Sequence, residues 1–189
     1  MRFSHAYFCN GTAYARKSTM VKRLAQKHHG IACEENYHDS LLAGLRKDEF
    51  PCLTYTRDLQ DWRDFIRRSP EEYEAWIDGC TRGCTMFELQ ILEIADRDHV
   101  VILLADPEVS VNRFFDRPDR EKQFLYQLLL SEDDPEWAME NSRACRKRVN
   151  SPERDAAFLH SGFPVLLRDD RRAVEETLSI VEKSFKLCE

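Results

Sequence analysis

The residues best suited to chemistry lie between positions 11 and 19, in the run Gly11-Thr12-Ala13-Tyr14-Ala15-Arg16-Lys17-Ser18-Thr19. They follow a short apolar stretch, Ala6 to Cys9, and lead into a segment with helical periodicity. In that setting the successive backbone N–H groups of the loop and of the helix N-terminus surround an anion. Gly11, Thr12, Ala13, Arg16, Lys17, Ser18 and Thr19 are therefore the candidate phosphate-binding residues. The Lys17 ammonium suits β- and γ-phosphate oxygens, and the Ser18 hydroxyl suits a magnesium ion.

The spacing follows the phosphate-loop template G-x-x-x-x-G-K-[ST], with one substitution. Arg16 stands where the second glycine belongs, and Tyr14 occupies a position that is often glycine in the small-molecule kinases such a loop resembles. Glycine normally gives such a loop its conformation and lets phosphate approach the backbone closely, which a Cβ-bearing residue resists. Arg16 has two readings. Its guanidinium supplies positive charge of its own, or its side chain blocks the site.

The elements that would position this loop can be read on either side of it. Ala6 to Cys9 suits a buried strand, and Lys17 to His29 carries Met20, Val21, Leu24 and Ala25 on one helix face. Gly30 ends that helix, and Ile31-Ala32-Cys33 reads as a second strand. Strand, loop, helix and strand within about 30 residues make a βαβ unit. From Asp39 to about Arg97 the pattern is helical, with helices expected at Ser40 to Lys47 and Asp58 to Arg68. A third starts at Ser69-Pro70, with Ser69 as N-cap and Pro70 at the first helical position. Val100 to Ala105 is a continuous apolar run of parallel-sheet type. Phe124 to Leu130 and Asp133 to Arg154 read as helices. Phe163 to Leu167 is a last strand, which Pro164 limits to an edge or a strand start. Ala173 to Leu187 closes the chain as an amphipathic helix. The fold class is α/β with a helix-rich insertion.

The 189 residues are 42% hydrophobic and 33% charged, so one domain with a proper core is expected. A net charge of −6 argues against nonspecific nucleic-acid or membrane binding. No apolar run approaches the ~18–20 residues of a membrane span. The N-terminal residues lack a signal-peptide h-region, so a cytoplasmic location is expected. The seven cysteines are odd in number and show no C-x-x-C spacing, which reads as reduced thiols used as small hydrophobes. Trp62, Trp76 and Trp137 read as core, and the basic run Arg143 to Arg148 as a solvated helix face.

Gly11 to Ala25 resembles the start of the adenylate-kinase-like P-loop kinases, which include nucleotide, shikimate and gluconate kinases. Leu103 to Val109, through Arg113 and Arg117, is similar to the strand, "pro-glu-val" helix and lid arginines of that group, and Val165 to Val181 to its last strand and helix. The resemblance covers roughly half the chain. It implies a P-loop NTPase-like three-layer sandwich with a mostly parallel sheet, forming a single domain over 1–189. A helical insertion would span about 40–97 and a lid-like segment about 113–150. It implies ATP and Mg²⁺ as cofactors, a small-molecule acceptor, and phosphotransferase activity; a noncatalytic nucleotide-binding module descended from such kinases is the alternative.

Lys17, Asp39, Glu35 and Arg117 are the candidate catalytic residues under this resemblance. Asp39 or Glu35 would orient or deprotonate the acceptor hydroxyl, although Asp39 also suits an N-cap. Arg117, within the basic cluster Arg113, Arg117, Arg120 and Lys122, would meet the transferring phosphoryl group; a solvated face paired with Asp116, Asp119 and Glu121 is the other reading. Between Asp39 and Asp98 no strand is legible, so Val100 to Asp106 takes the metal-side role, with Ser18 and Asp106 on magnesium, or that strand is absent.

Overall fold

The computed structural model describes residues 5–33, 43–80, 96–116 and 119–187. In chain order the elements are β1 (Phe8–Gly11), α1 (Lys17–Lys27), α2 (Pro51–Asp58), α3 (Trp62–Ile66), α4 (helical over 70–80), β2 (Val100–Leu104), α5 (Pro107–Asn112), α6 (Arg120–Leu130), α7 (Pro135–Val149), α8 (Pro152–Leu159), β3 (Val165–Leu167) and α9 (Val174–Ser184), with a 3₁₀ turn at Arg97–His99. Contacts divide the chain into two compact units. One comprises Met1–His38, Phe87–Asp106 and Pro152–Glu189; the other comprises Asp39–Met86 and Pro107–Ser151.

The first unit is mixed α/β around an open, parallel, three-stranded sheet in the order β1-β2-β3. β2 is central because all five of its residues, Val100 to Leu104, are apolar and buried. Successive side chains of a strand point to opposite faces, so this run serves two layers. Val101, Leu103 and Ala105 pack with Ala15, Met20 and Leu24 from the α1 side and with Val181 and Phe185 from the α9 side. Val100, Ile102 and Leu104 pack with Phe8, Phe158, Phe163 and Val165 on the other face. Each such side chain contributes roughly 1.5–3 kcal/mol when fully buried. Glu182 of α9, only 2% exposed, is held by Lys27 at 2.8 Å and by His28 Nε2 at 2.8 Å, which ties the end of α1 to α9.

The strand expected at Ile31-Ala32-Cys33 does not form. Residues 30–33 have no regular structure, and Ile31 is 90% exposed. α1 ends at Lys27, and the left-handed residue after it is His29 (φ 54°) rather than the expected Gly30. The three residues that follow Gly30 gain nothing from extension unless a neighbouring strand accepts their hydrogen bonds. Pro164 directly precedes the last strand, which lies at the sheet's edge as expected, and its carbonyl accepts from Ile102 N at 2.8 Å.

The second unit is helical among its described residues. The helix expected at Ser40 to Lys47 falls partly outside them, and 43–47 contain turns but no helix. There Arg46 donates to Asp48 Oδ1 at 3.1 Å, an i,i+2 pairing that a helix does not bring face to face. The helix expected over Asp58 to Arg68 is shorter, because Leu59 turns extended (φ −61°, ψ 128°) and Asp61 caps α3 by accepting from Arg63 N. Ser69 and Glu72 form a reciprocal capping box at the start of α4: Glu72 N donates to Ser69 Oγ at 3.2 Å and Ser69 N to Glu72 Oε2 at 2.9 Å. Ile66, Leu129 and Ala138 form the core of this unit. Trp62 and Trp76 pack against Phe65 as expected, whereas Trp137 is 49% exposed. No described helix is long and apolar enough to cross a membrane.

Candidate functional site

β1 delivers the chain to the loop at Gly11, directly opposite Leu103 of β2. Gly11 has φ 124°, and a Cβ there would lie 1.9 Å from the Leu103 carbonyl oxygen, so only glycine fits. Thr12 then fastens the loop to the end of β2. Its N–H donates to Leu103 O at 3.1 Å, and its Oγ1 accepts from Ala105 N at 2.9 Å.

Tyr14 and Arg16 both lie in the left-handed region, with φ 65° and 67°. The backbone thus keeps a glycine-type conformation without the glycines. For an L-residue that region costs about 1–2 kcal/mol, and specific contacts hold it. Arg168, just past β3, donates from Nη1 to Tyr14 O at 2.5 Å, and its guanidinium carbon lies 4.4 Å from the Tyr14 ring centroid. Arg16 points toward the same segment, with Nη1 at 3.3 Å from Arg172 O and Nη2 at 3.5 Å from Asp170 Oδ1. Asp170 is shared, since Arg168 Nε donates to it at 2.7 Å. Between the two left-handed residues, Ala15 is buried in the core of the first unit.

Lys17 opens α1 and folds back across the loop. Its Nζ donates to Gly11 O at 3.0 Å and Thr12 O at 2.6 Å. Lys17 also acts on Cys9 of β1, whose thiol burial pushes up to about 12 against the lowering pull of that ammonium. Ser18 and Thr19 are exposed on the first turn of α1, which contains no acidic residue and no side-chain cap. A helix start in that condition keeps N–H donors and positive potential for an anion.

Asp106 is exposed immediately past the end of β2. Beside it stands Asp155 of α8, whose carboxyl is raised above the usual carboxylate range by burial and then by the charge of Asp106. Asp155 Oδ1 is buried without a hydrogen-bond partner among the described residues. Among the described residues no group of three or more His, Cys, Asp or Glu side chains could hold a metal ion. Comparison with family models, with curated proteins and with solved structures finds no match to this chain.

The structure therefore brings Gly11, Thr12, Ala13, Arg16, Lys17, Ser18 and Thr19 together on one loop and helix start. Asp39, Glu35 and Arg117 lie outside the described residues. Arg113 is exposed at the end of α5, while Arg120 and Lys122 sit in the first turn of α6, whose N-cap is Asp119. Sequence reasoning missed Asp155, Arg168 and Asp170. The last two had a signal, because the run Arg168-Asp169-Asp170-Arg171-Arg172 follows the carboxyl end of a strand, where ligand sites of open α/β sheets collect. Asp155 had none, being indistinguishable from an ordinary first-turn acid of a helix.

Proposed function

We propose that this chain is a P-loop phosphotransferase with the three-layer sandwich of that class, moving the γ-phosphoryl of ATP to a small-molecule acceptor. One observation carries the reading: the backbone between β1 and α1 has positive φ at residues 11, 14 and 16, although only the first is glycine, and Lys17 spans that loop. A chance strand-to-helix turn has no reason to hold two side-chain-bearing residues in left-handed geometry with a dedicated arginine clamp.

The residues present fit the nucleotide and its metal. The loop and the uncapped, acid-free first turn of α1 would hold the phosphates, with Lys17 as counter-ion. The Ser18 hydroxyl and the Asp106 carboxylate would hold magnesium, which takes one or two carboxylates and completes its shell with phosphate oxygens and water. When bound, the ion neutralises charge on the β- and γ-phosphates. Arg16 is directed to Asp170 and Arg172, which supports a loop accessible to phosphate. Asp39 or Glu35 would orient the acceptor, and Arg117 would stabilise the transferred charge. The clamp on Tyr14 and Arg16 also favours a second reading, a nucleotide-binding module that no longer transfers phosphoryl groups, because a loop fastened by Arg168 is held from both ends.

Millimolar Mg-ATP should raise the melting temperature of the full chain, as any native-state ligand does. Lys17→Ala should remove that shift and leave the unliganded melting point nearly unchanged. A shift that survives Lys17→Ala places the nucleotide elsewhere and defeats the proposal. A lost shift together with no ATP turnover in the wild type selects the noncatalytic reading.

A further inference from the structure

Arg143, Lys147 and Arg148 of the basic run on α7 are exposed as a solvated face requires, but Arg146 is not. Ala138, Asn141, Ser142, Cys145 and Arg146 share one stripe at i, i+3, i+4, i+7 and i+8 spacing, and Arg146 is only 7% exposed. Asn141 is accounted for, because its Nδ2 donates to the carbonyls of Ile66 at 3.3 Å and Arg68 at 2.8 Å just past α3. Arg146 is accounted for only in part. Its Nε donates to Val111 O at 3.4 Å and its Nη1 to Ser142 Oγ at 2.6 Å. The guanidinium lies 5.0 Å from the Phe114 ring centroid and 4.7 Å from that of Phe115. A guanidinium carries five N–H donors, so three find no acceptor among the described residues; two of them are on Nη2, which is not fully buried. No described Asp or Glu pairs with it; the ionisable groups acting on it are Tyr73, Cys145 and Arg143. Burial lowers its pKa to about 10, which leaves it charged at neutral pH.

Arg146 and Ser142 line a cavity of about 40 Å³, walled by Phe65, Tyr73, Phe114 and Phe115. One water needs about 10–15 Å³ measured this way, so there is room for a small polyatomic group. We propose that this cavity is a binding site for the carboxylate of a small organic acid, with Arg146 as its counter-ion. A planar carboxylate accepts two parallel N–H bonds from a guanidinium, and the aromatic walls suit a short apolar body. Charge decides against phosphate, because a dianion facing one cation would leave net charge buried among aromatic rings. Every residue of the site belongs to the second unit, so the inference does not rest on the nucleotide reading.

The test is thermal shift and calorimetric titration of the full chain with sodium acetate and sodium propionate, against sodium chloride and inorganic phosphate at matched ionic strength. The carboxylates should raise the melting temperature by several degrees, and chloride should not. Arg146→Met should abolish the shift while leaving the unliganded melting point equal or higher, since replacing a buried charge by an apolar chain of similar length is often stabilising. Should Arg146→Met not fold, Arg146→Lys decides instead: it keeps the charge without the fork, and carboxylate affinity should fall at least tenfold. Lys17→Ala should leave the carboxylate shift unchanged. The proposal is overturned if neither acid shifts the wild type, if chloride or phosphate shifts it as much, or if the shift persists once Arg146 is replaced.

Discussion

Two arginines, one in each unit, occupy similar surroundings and end in opposite conditions. Arg168 lies at a loop, mostly buried, against an aromatic ring, with Asp170 and a backbone carbonyl as acceptors. Arg146 also lies against aromatic rings and bonds a backbone carbonyl, yet it has a hydroxyl where Arg168 has a carboxylate. The first is complete within the protein and works by fixing the backbone of its neighbours. The second retains charge and donors that the described chain leaves unanswered, a condition expected of a residue whose partner arrives from solution. Asp155 is the acidic counterpart in the first unit, buried at one oxygen and placed beside Asp106.

The sharpest way to break this comparison is to make one substitution in both places. Arg168→Met removes the bond to Tyr14 O, the pairs with Asp170 and the ring contact, and should destabilise the chain by about 2 kcal/mol, read as a lower urea midpoint at unchanged slope. Arg146→Met should move the midpoint by nothing or upward. Equal losses at both positions would erase the distinction between a fastening arginine and a receiving one.

Asp155→Asn should give a smaller effect with a pH signature. A carboxyl whose pKa rises on folding binds its proton more readily in the folded chain, so folding is penalised above the carboxylate range and not below about pH 4. The variant should therefore be more stable than wild type at pH 7, by at most about 1 kcal/mol because a partly exposed carboxyl is screened by water. Its advantage should vanish as the pH falls through that range. An advantage that does not change with pH would mean that folding does not raise the Asp155 carboxyl.

The smallest effect is expected at Arg16. Arg16→Gly relieves a left-handed residue and loses long bonds to Asp170 and Arg172, so stability should change by no more than about 0.5 kcal/mol. Mg-ATP affinity should change less than about threefold by isothermal titration. A large loss would make the guanidinium a phosphate ligand, and a large gain would make it an obstruction.

These positions also show where residue patterns inform and where they fail. The β2 run, the Ser69-Glu72 cap and the loop from Gly11 to Thr19 were legible because each signal is local: an apolar stretch, a capping spacing, a glycine-to-lysine distance. Ile31 to Cys33 misled because strand formation depends on a neighbour that three residues do not reveal. The clamp was invisible because Arg168 and Asp170 meet Tyr14 and Arg16 across more than 150 positions of sequence. Arg146 was misread for a different reason. Hydrophobic periodicity recognises a core stripe by its apolar residues, and the stripe of α7 carries Asn141, Ser142 and Arg146, so the pattern looked like a solvated face.

The clamp also sets an order of events during synthesis. The first unit is assembled from three separate stretches of chain, and β1 pairs with a strand some 90 positions later. The loop leaves the ribosome more than 150 positions ahead of the residues that hold Tyr14 and Arg16 in their left-handed conformations. A nascent chain that already contains Gly11, Lys17 and Ser18 thus still lacks the fastenings that shape the loop. Pairing over such distances carries a large closure entropy before any contact offsets it. The loop is thus translated well before it can acquire its form.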